Sequence, residues 1–175
     1  PAGLQTMRDV LKIQTDIDLR NPSAVGNPTQ SPLGDDVAYG IYNSVQYDGI
    51  FSDAGKATIR KIFSDLAKPE AYPVYLHCTY GCDRTGTISM LLEGLLGVSA
   101  EDVLRDYEMS ALFLSHVTRE YYGGTFLNQL LALDGATFQQ KVEGYLLSAG
   151  VTAEEIATLK SIFLGEPNAE KHLVT

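Results

Sequence analysis

Tryptophan is missing from this 175-residue chain, cysteine occurs twice and histidine three times. So few cysteines exclude a structural disulfide framework, and three scattered histidines offer no ligand set for a metal centre. No cofactor is expected. A reduced, cytoplasmic setting follows from the free thiols, with secretion the alternative if a leader has been removed. The chain also lacks any apolar run of roughly 18 residues, so no membrane span is expected in it. Positive charge is scarce: 13 Lys and Arg against 22 Asp and Glu give a formal net charge of −9. That sign disfavours nucleic acid and anionic membranes as partners. It permits a locally positive cleft built from backbone amides and one arginine, with slower, salt-sensitive capture of very anionic substrates. Internal repeats and low-complexity tracts are absent as well. A hydrophobic content of 45% at this length is enough for one domain with a core, read here as residues 1–175.

What the chain does have is concentrated in one stretch. The apolar run Pro73-Val74-Tyr75-Leu76 leads into His77-Cys78-Thr79-Tyr80-Gly81-Cys82-Asp83-Arg84-Thr85-Gly86, and a helical pattern follows. A loop running into a helix N-terminus presents several N–H groups and the positive end of the dipole, which suits a tetrahedral phosphate dianion. Thr79, Tyr80, Gly81, Cys82, Asp83 and Arg84 are the residues expected to form this phosphate cradle. The same field favours the thiolate of Cys78 over the thiol, making it a nucleophile. Arg84, folded back, would hold two phosphoryl oxygens bidentately, as a lysine's point charge would not. The Thr85 hydroxyl is placed to donate to the sulfur when it leaves. Gly81 lets the loop turn with its amides inward. The bland alternative makes Cys78 a small buried hydrophobe and Arg84 a surface residue, and it leaves the ordered spacing without a cause.

Around this loop the periodicities predict a helix over Leu4–Lys12, a strand over Thr15–Leu19, a loop over Asn21–Asp36 and a second strand over Val37–Tyr47. A helix over Ala54–Ala67, capped by Ser52 or Asp53, precedes a buried strand over Pro73–Cys78. Helices are then expected over Thr85–Leu96, Ser99–His116, Thr125–Leu133, Thr137–Ser148 and Thr152–Leu164. Strands separated by helices argue for an α/β layered fold: a mostly parallel central sheet flanked by helices, with a helical C-terminal half. Ligands bind such sheets at the carboxyl ends of their strands, and the Cys78 loop follows a strand expected to be central.

The stretch resembles the signature of the cysteine-dependent phosphatases, HCxxGxxR[ST], and is most similar to a bacterial branch of tyrosine phosphatases written HCxxGKDRTG. Ile17-Asp18-Leu19-Arg20 resembles that branch's IDLR strand, and Asp106-Tyr107-Glu108-Met109-Ser110 its DYLLS helix. The tail from Tyr145-Leu146 through Gly150-Val151-Thr152 to Leu164 is similar to its C-terminal helices. The resemblance implies a protein tyrosine phosphatase-like fold and hydrolysis of a phosphomonoester through a phosphocysteine. The aspartate before the arginine also stands in myotubularin-type and Sac-type phosphoinositide phosphatases. Phosphotyrosine protein, or a dual-specificity range, is therefore the first substrate class, and a phosphoinositide or inositol phosphate the second. Two departures stand out. Cys82 replaces the branch's lysine, removing a positive charge from the cradle. The strand-rich segment that usually opens these proteins is expected to be absent or trimmed.

A leaving alkoxide or phenoxide needs a proton, and three carboxylates are candidates to give it, of which Asp53 is more simply a helix cap. Asp83 lies in the cradle itself and is slightly preferred. Asp48, thirty residues before Cys78 on a glycine-containing loop, lies where the resemblance to dual-specificity enzymes puts a mobile acid. His77 is expected to orient the loop rather than act as a base, since a thiolate needs none. Arg20 either lines the cleft or forms a salt bridge, the resemblance implies that Asp106 braces the loop from behind, and His116 and His172 have no metal-like spacing. A reversible Cys78–Cys82 bridge is conceivable if the loop distorts. Two other classes remain: a phosphate-recognition module without turnover, against which the intact Cys78 and Arg84 argue, and sulfur transfer, which His77, Thr85 and Gly86 disfavour.

Overall fold

Three short strands pair side by side in the computed structural model, which describes residues 2–114 and 126–165. Strands β1 (Thr15–Asp18), β2 (Ala38–Ile41) and β3 (Val74–His77) form one parallel sheet in the order β2-β1-β3. Asp18 lies opposite Ile41 on one side and His77 on the other. The central strand is therefore β1, and β3 lies at an edge of the described sheet. That corrects the expectation of a buried central strand before the loop: Tyr75 on β3 is exposed. Order 2-1-3 nevertheless leaves a crevice between the carboxyl ends of β1 and β3, where chain direction across the sheet switches.

Side chains alternate across the strands. Ile17 and Leu19 enter the apolar core, whereas Asp16 and Asp18 on the opposite face are fully buried carboxylates. Parallel strands are usually apolar on both faces, so this polar underside requires partners, described below.

The helices are α1 (Ala2–Gln5), α2 (Asp53–Leu66), α3 (Asp83–Leu95), α4 (Ala100–Glu108), α5 (Asn128–Leu131), α6 (Phe138–Ser148) and α7 (Ala153–Leu164). Helix α2 buries Ile59, Ile62, Phe63 and Leu66, the predicted apolar stripe. Ser52 caps it by accepting the Gly55 N–H at 3.0 Å, which leaves Asp53 as a first-turn negative charge. Thr137 and Thr152 open α6 and α7 with capping boxes to Gln140 and Glu155.

Some boundaries differ from the sequence reading. The first helix is regular only to Gln5 and continues as a wider π turn over Thr6–Val10, with Val10 and Leu11 exposed and gaining no packing. Strand β2 stops at Ile41, because Asn43 and Tyr47 adopt left-handed backbone, φ 43° and 52°. Tyr47 instead opens a tight 3-10 turn, Tyr47–Phe51. Helix α4 ends at Glu108 and a 3-10 turn over Met109–Leu112 follows. Thr125, His116 and His172 lie outside the described residues.

The Tyr47–Phe51 turn is seated directly on α2. A methyl group added at Gly55 would lie 2.1 Å from the Gly49 carbonyl oxygen and 2.9 Å from Ile50 Cα. Because both are backbone, Gly55→Ala is expected to lever the turn off the helix, at a cost of about 1–3 kcal/mol. Thermal unfolding would show a midpoint lower by at least about 3 °C. An unchanged midpoint would mean the approach is not constraining.

Candidate active site

Residues 78–82 join β3 to α3 without regular structure, placing Cys78 at the base of a short loop and Thr79, Tyr80 and Gly81 at its exposed rim. Gly81 has φ 75°, a turn that a side chain would strain. Burial of Cys78 opposes ionisation, but the Thr85 hydroxyl and the N–H groups of Thr85, Tyr80 and Gly81 outweigh it and hold the thiol below its ordinary range. Thr85 Oγ1 is buried with no other hydrogen-bond partner, which leaves its proton for the sulfur. Arg84 curls back from the first turn of α3, and its Nη2 donates to Thr79 Oγ1 at 3.1 Å. Among the described residues no carboxylate pairs with this guanidinium.

The depressed thiol has a direct consequence. Alkylation of Cys78 by iodoacetamide is expected to stay fast at pH values where a free cysteine, with a pKa of about 8.5, is mostly protonated. In Thr85→Ala the alkylation profile should move to higher pH, because the thiolate loses a donor. An unmoved profile would remove Thr85 from this role.

The other thiol has the opposite environment. Cys82 points into the core, its Sγ 3.5 Å from Asp83 Oδ1 and 3.9 Å from Tyr107 Oη. Burial and the neighbouring Asp83 carboxylate push this thiol up to about 11. Its side chain therefore takes no part in the charge of the cradle. Both cysteines are free thiols. Asp83 Oδ1 also accepts a hydrogen bond from the Tyr47 hydroxyl, which lies 2.6 Å from the Tyr107 hydroxyl. Asp48, the next residue along the turn, is exposed. Tyr47 thus contacts one candidate acid through its hydroxyl and directly precedes the other in the chain.

Beneath the loop, the polar sheet face finds its partners. His77 Nε2 lies 3.0 Å from Asp16 Oδ1, and the imidazole stacks on Tyr75 with ring centroids 4.7 Å apart. Burial disfavours the charged imidazole, yet Asp16 and Asp18 outweigh it and raise the His77 pKa. Its Nδ1 is 3.3 Å from the Cys78 carbonyl, so the ring is fixed between β1 and the loop. Asp16 also accepts from Ser31 Oγ at 2.6 Å. Arg20 grips Asp18 through Nε and Nη2 at 2.7–3.1 Å, and Tyr39 adds a third donor at 3.0 Å. Of the two readings of Arg20, the salt bridge is the one realised. Behind the loop, Asp106 and Glu93 line a cavity of about 60 Å³ with Gly81, Cys82, Tyr107 and Ser110. Burial, with Asp106 nearby, raises Glu93 to about 7.

Sequence reasoning passed over Tyr47, Tyr107 and Asp16. A tyrosine and an aspartate in strand-like or helical patterns carry no signal of contacts across 36 or 60 residues. Among the described residues no His, Cys, Asp or Glu group is arranged to hold a metal ion, and no helix is long and apolar enough to cross a membrane.

A strand, a five-residue loop with a thiol held low, and an arginine folded back over it form an arrangement with known counterparts. The model of a tyrosine phosphatase family matches residues 1–165. A tyrosine-protein phosphatase of Nostoc commune is 30% identical over 124 residues, covering 58% of this chain and 42% of that protein. The chain thus spans under half the length of that relative. With the family match running through sheet, loop and C-terminal helices alike, this chain belongs to the tyrosine phosphatase family.

Proposed function

We propose that residues 1–175 form one phosphatase domain that hydrolyses phosphomonoesters through a phosphocysteine at Cys78, with phosphotyrosine in proteins as the substrate class. The observation that carries this reading is the convergence of one hydroxyl and three backbone N–H groups on the Cys78 sulfur, beneath a guanidinium with no carboxylate partner among the described residues. The Cys78 thiolate attacks phosphorus, the ester P–O bond breaks, and the leaving oxygen takes a proton from Asp83 or Asp48. Water then attacks the phosphocysteine, the S–P bond breaks, and the same carboxylate accepts water's proton as inorganic phosphate forms. Arg84 and the loop amides hold the equatorial oxygens throughout. This sequence needs neither metal nor cofactor.

Phosphotyrosine is favoured over polyphosphorylated lipids by charge. The net charge is −9 and Cys82 contributes no cation, so the cradle is suited to one dianion rather than several. The test is phosphate release from phosphotyrosine peptides, phosphoserine peptides and short-chain phosphoinositides by the same preparation. Preference for phosphotyrosine is the expected result. Faster release from phosphoinositide would transfer the assignment to lipid, and absence of turnover with retained phosphate binding would favour a recognition module. The acid is the carboxylate whose change to asparagine flattens the basic limb of the pH profile with a poor leaving group.

A further inference from the structure

The two candidate acids are joined by a residue that does no chemistry itself. Tyr47 is covalently next to Asp48, and its hydroxyl donates to Asp83 Oδ1. The ring is buried, with edge-to-face contacts to Tyr107 and Phe126 at centroid separations of 6.4 and 6.1 Å. Its backbone N–H donates to Thr87 Oγ1 at 3.0 Å, and Thr87 in turn donates to the Asp83 carbonyl at 2.7 Å. Tyr47 therefore holds the first turn of α3 by side chain and main chain together. It does so from a left-handed backbone, φ 52°, which a tyrosine adopts only where the surroundings enforce it.

The hydroxyls have a definite direction. Tyr47 spends its single proton on Asp83, so the 2.6 Å contact with Tyr107 is made by the Tyr107 proton. Each phenol stays protonated, because burial raises its pKa, helped at Tyr47 by the Asp83 carboxylate it donates to and at Tyr107 by the nearby Cys82 and Asp83. The result is a fixed chain of donors ending on one carboxylate oxygen, in a setting where such chains are rigid.

We propose that Tyr47 is a positioning residue for general-acid catalysis, fixing the Asp83 carboxylate and tying the Asp48 turn to the catalytic loop. The assignment rests on the phosphatase reading above. It holds whichever carboxylate delivers the proton, since Tyr47 touches one and carries the other. A general acid matters only when the leaving oxygen needs protonation, so the loss should depend on the leaving group.

The experiment is Tyr47→Phe, which removes the hydroxyl and keeps the ring, assayed beside wild type on phenyl phosphate and dinitrophenyl phosphate. With phenyl phosphate kcat should fall about tenfold, and with the dinitrophenyl ester by no more than about twofold, KM being little changed. Where Asp83→Asn alone flattens the basic limb, adding Tyr47→Phe to it should cost nothing further on phenyl phosphate. Equal losses on the two esters, or no loss, overturn the proposal while leaving the phosphatase reading intact. If wild type shows no Cys78-dependent turnover of either ester, that reading fails and takes this one with it. Should Tyr47→Phe not fold, Tyr107→Phe replaces it; a smaller loss with the same leaving-group dependence supports the proposal, and a uniform loss overturns it.

Discussion

Replacing Cys78 with serine is expected to abolish phosphate release, by at least about 10⁴-fold, while leaving the fold and phosphate binding in place. The reason lies in how far each group must be ionised. A thiol starts within reach of neutrality, and one hydroxyl and three N–H donors lower it further. A serine hydroxyl starts many orders of magnitude further away, and the same donors cannot make it an alkoxide. The substitution is nearly isosteric at a buried position, so the melting temperature should stay within about 2 °C of wild type. Arg84 and the loop amides are untouched, so inorganic phosphate should bind about as before. Turnover above about 1% of wild type in Cys78→Ser would mean that another group is the nucleophile, and the covalent mechanism would fall.

Arg84→Lys is expected to cost about 10²- to 10³-fold in kcat/KM, most of it in kcat. Charge is conserved in this change and geometry is not. In the resting structure the guanidinium already lies back over the loop, held by Thr79 Oγ1 at 3.1 Å. From there its planar fork reaches two oxygens of a phosphoryl group, and the match improves as those oxygens flatten toward an equatorial plane. A lysine ammonium supplies one moving point charge that gains little from the flattening. Binding of vanadate, which adopts the flattened geometry, should therefore weaken much more than binding of phosphate. If Arg84→Lys instead raises KM and leaves kcat unchanged, the arginine binds ground and transition states alike and its assigned role is wrong.

The loop was legible in the sequence because its chemistry needs particular residue types at fixed intervals, and a parallel strand running into a helix needs an apolar run before and a helical period after. Helices α2, α6 and α7 were legible for a related reason: their stripes and their Ser or Thr caps are local codes. Strand β2 was drawn too long. Tyr42, Val45 and Tyr47 have strand-like propensity, and nothing local announces that Asn43 and Tyr47 turn left-handed. The position of β3 was misjudged because an apolar run reads the same at the edge of a sheet as at its centre. The support of the site was the least visible part. Asp16 beneath His77, and Tyr47 and Tyr107 around Asp83, are brought in by tertiary packing across long sequence separations. Asp83 itself was expected from its place in the loop, and the hydrogen bonds that hold it were not.

Cys82 gives the molecule a clock. It sits four residues from a thiol that is ionised early, yet it is 1% exposed, resists ionisation and is enclosed between α3 and α4. A disulfide reagent offered to the native protein reacts first with Cys78, the sulfur held in the thiolate-favouring loop. The second can react only when the α3–α4 packing parts for long enough to admit it. Labelling in two phases would thus date two separate events in one chain: the fast phase counts competent sites, and the slow phase measures how often the helix behind the catalytic loop comes loose.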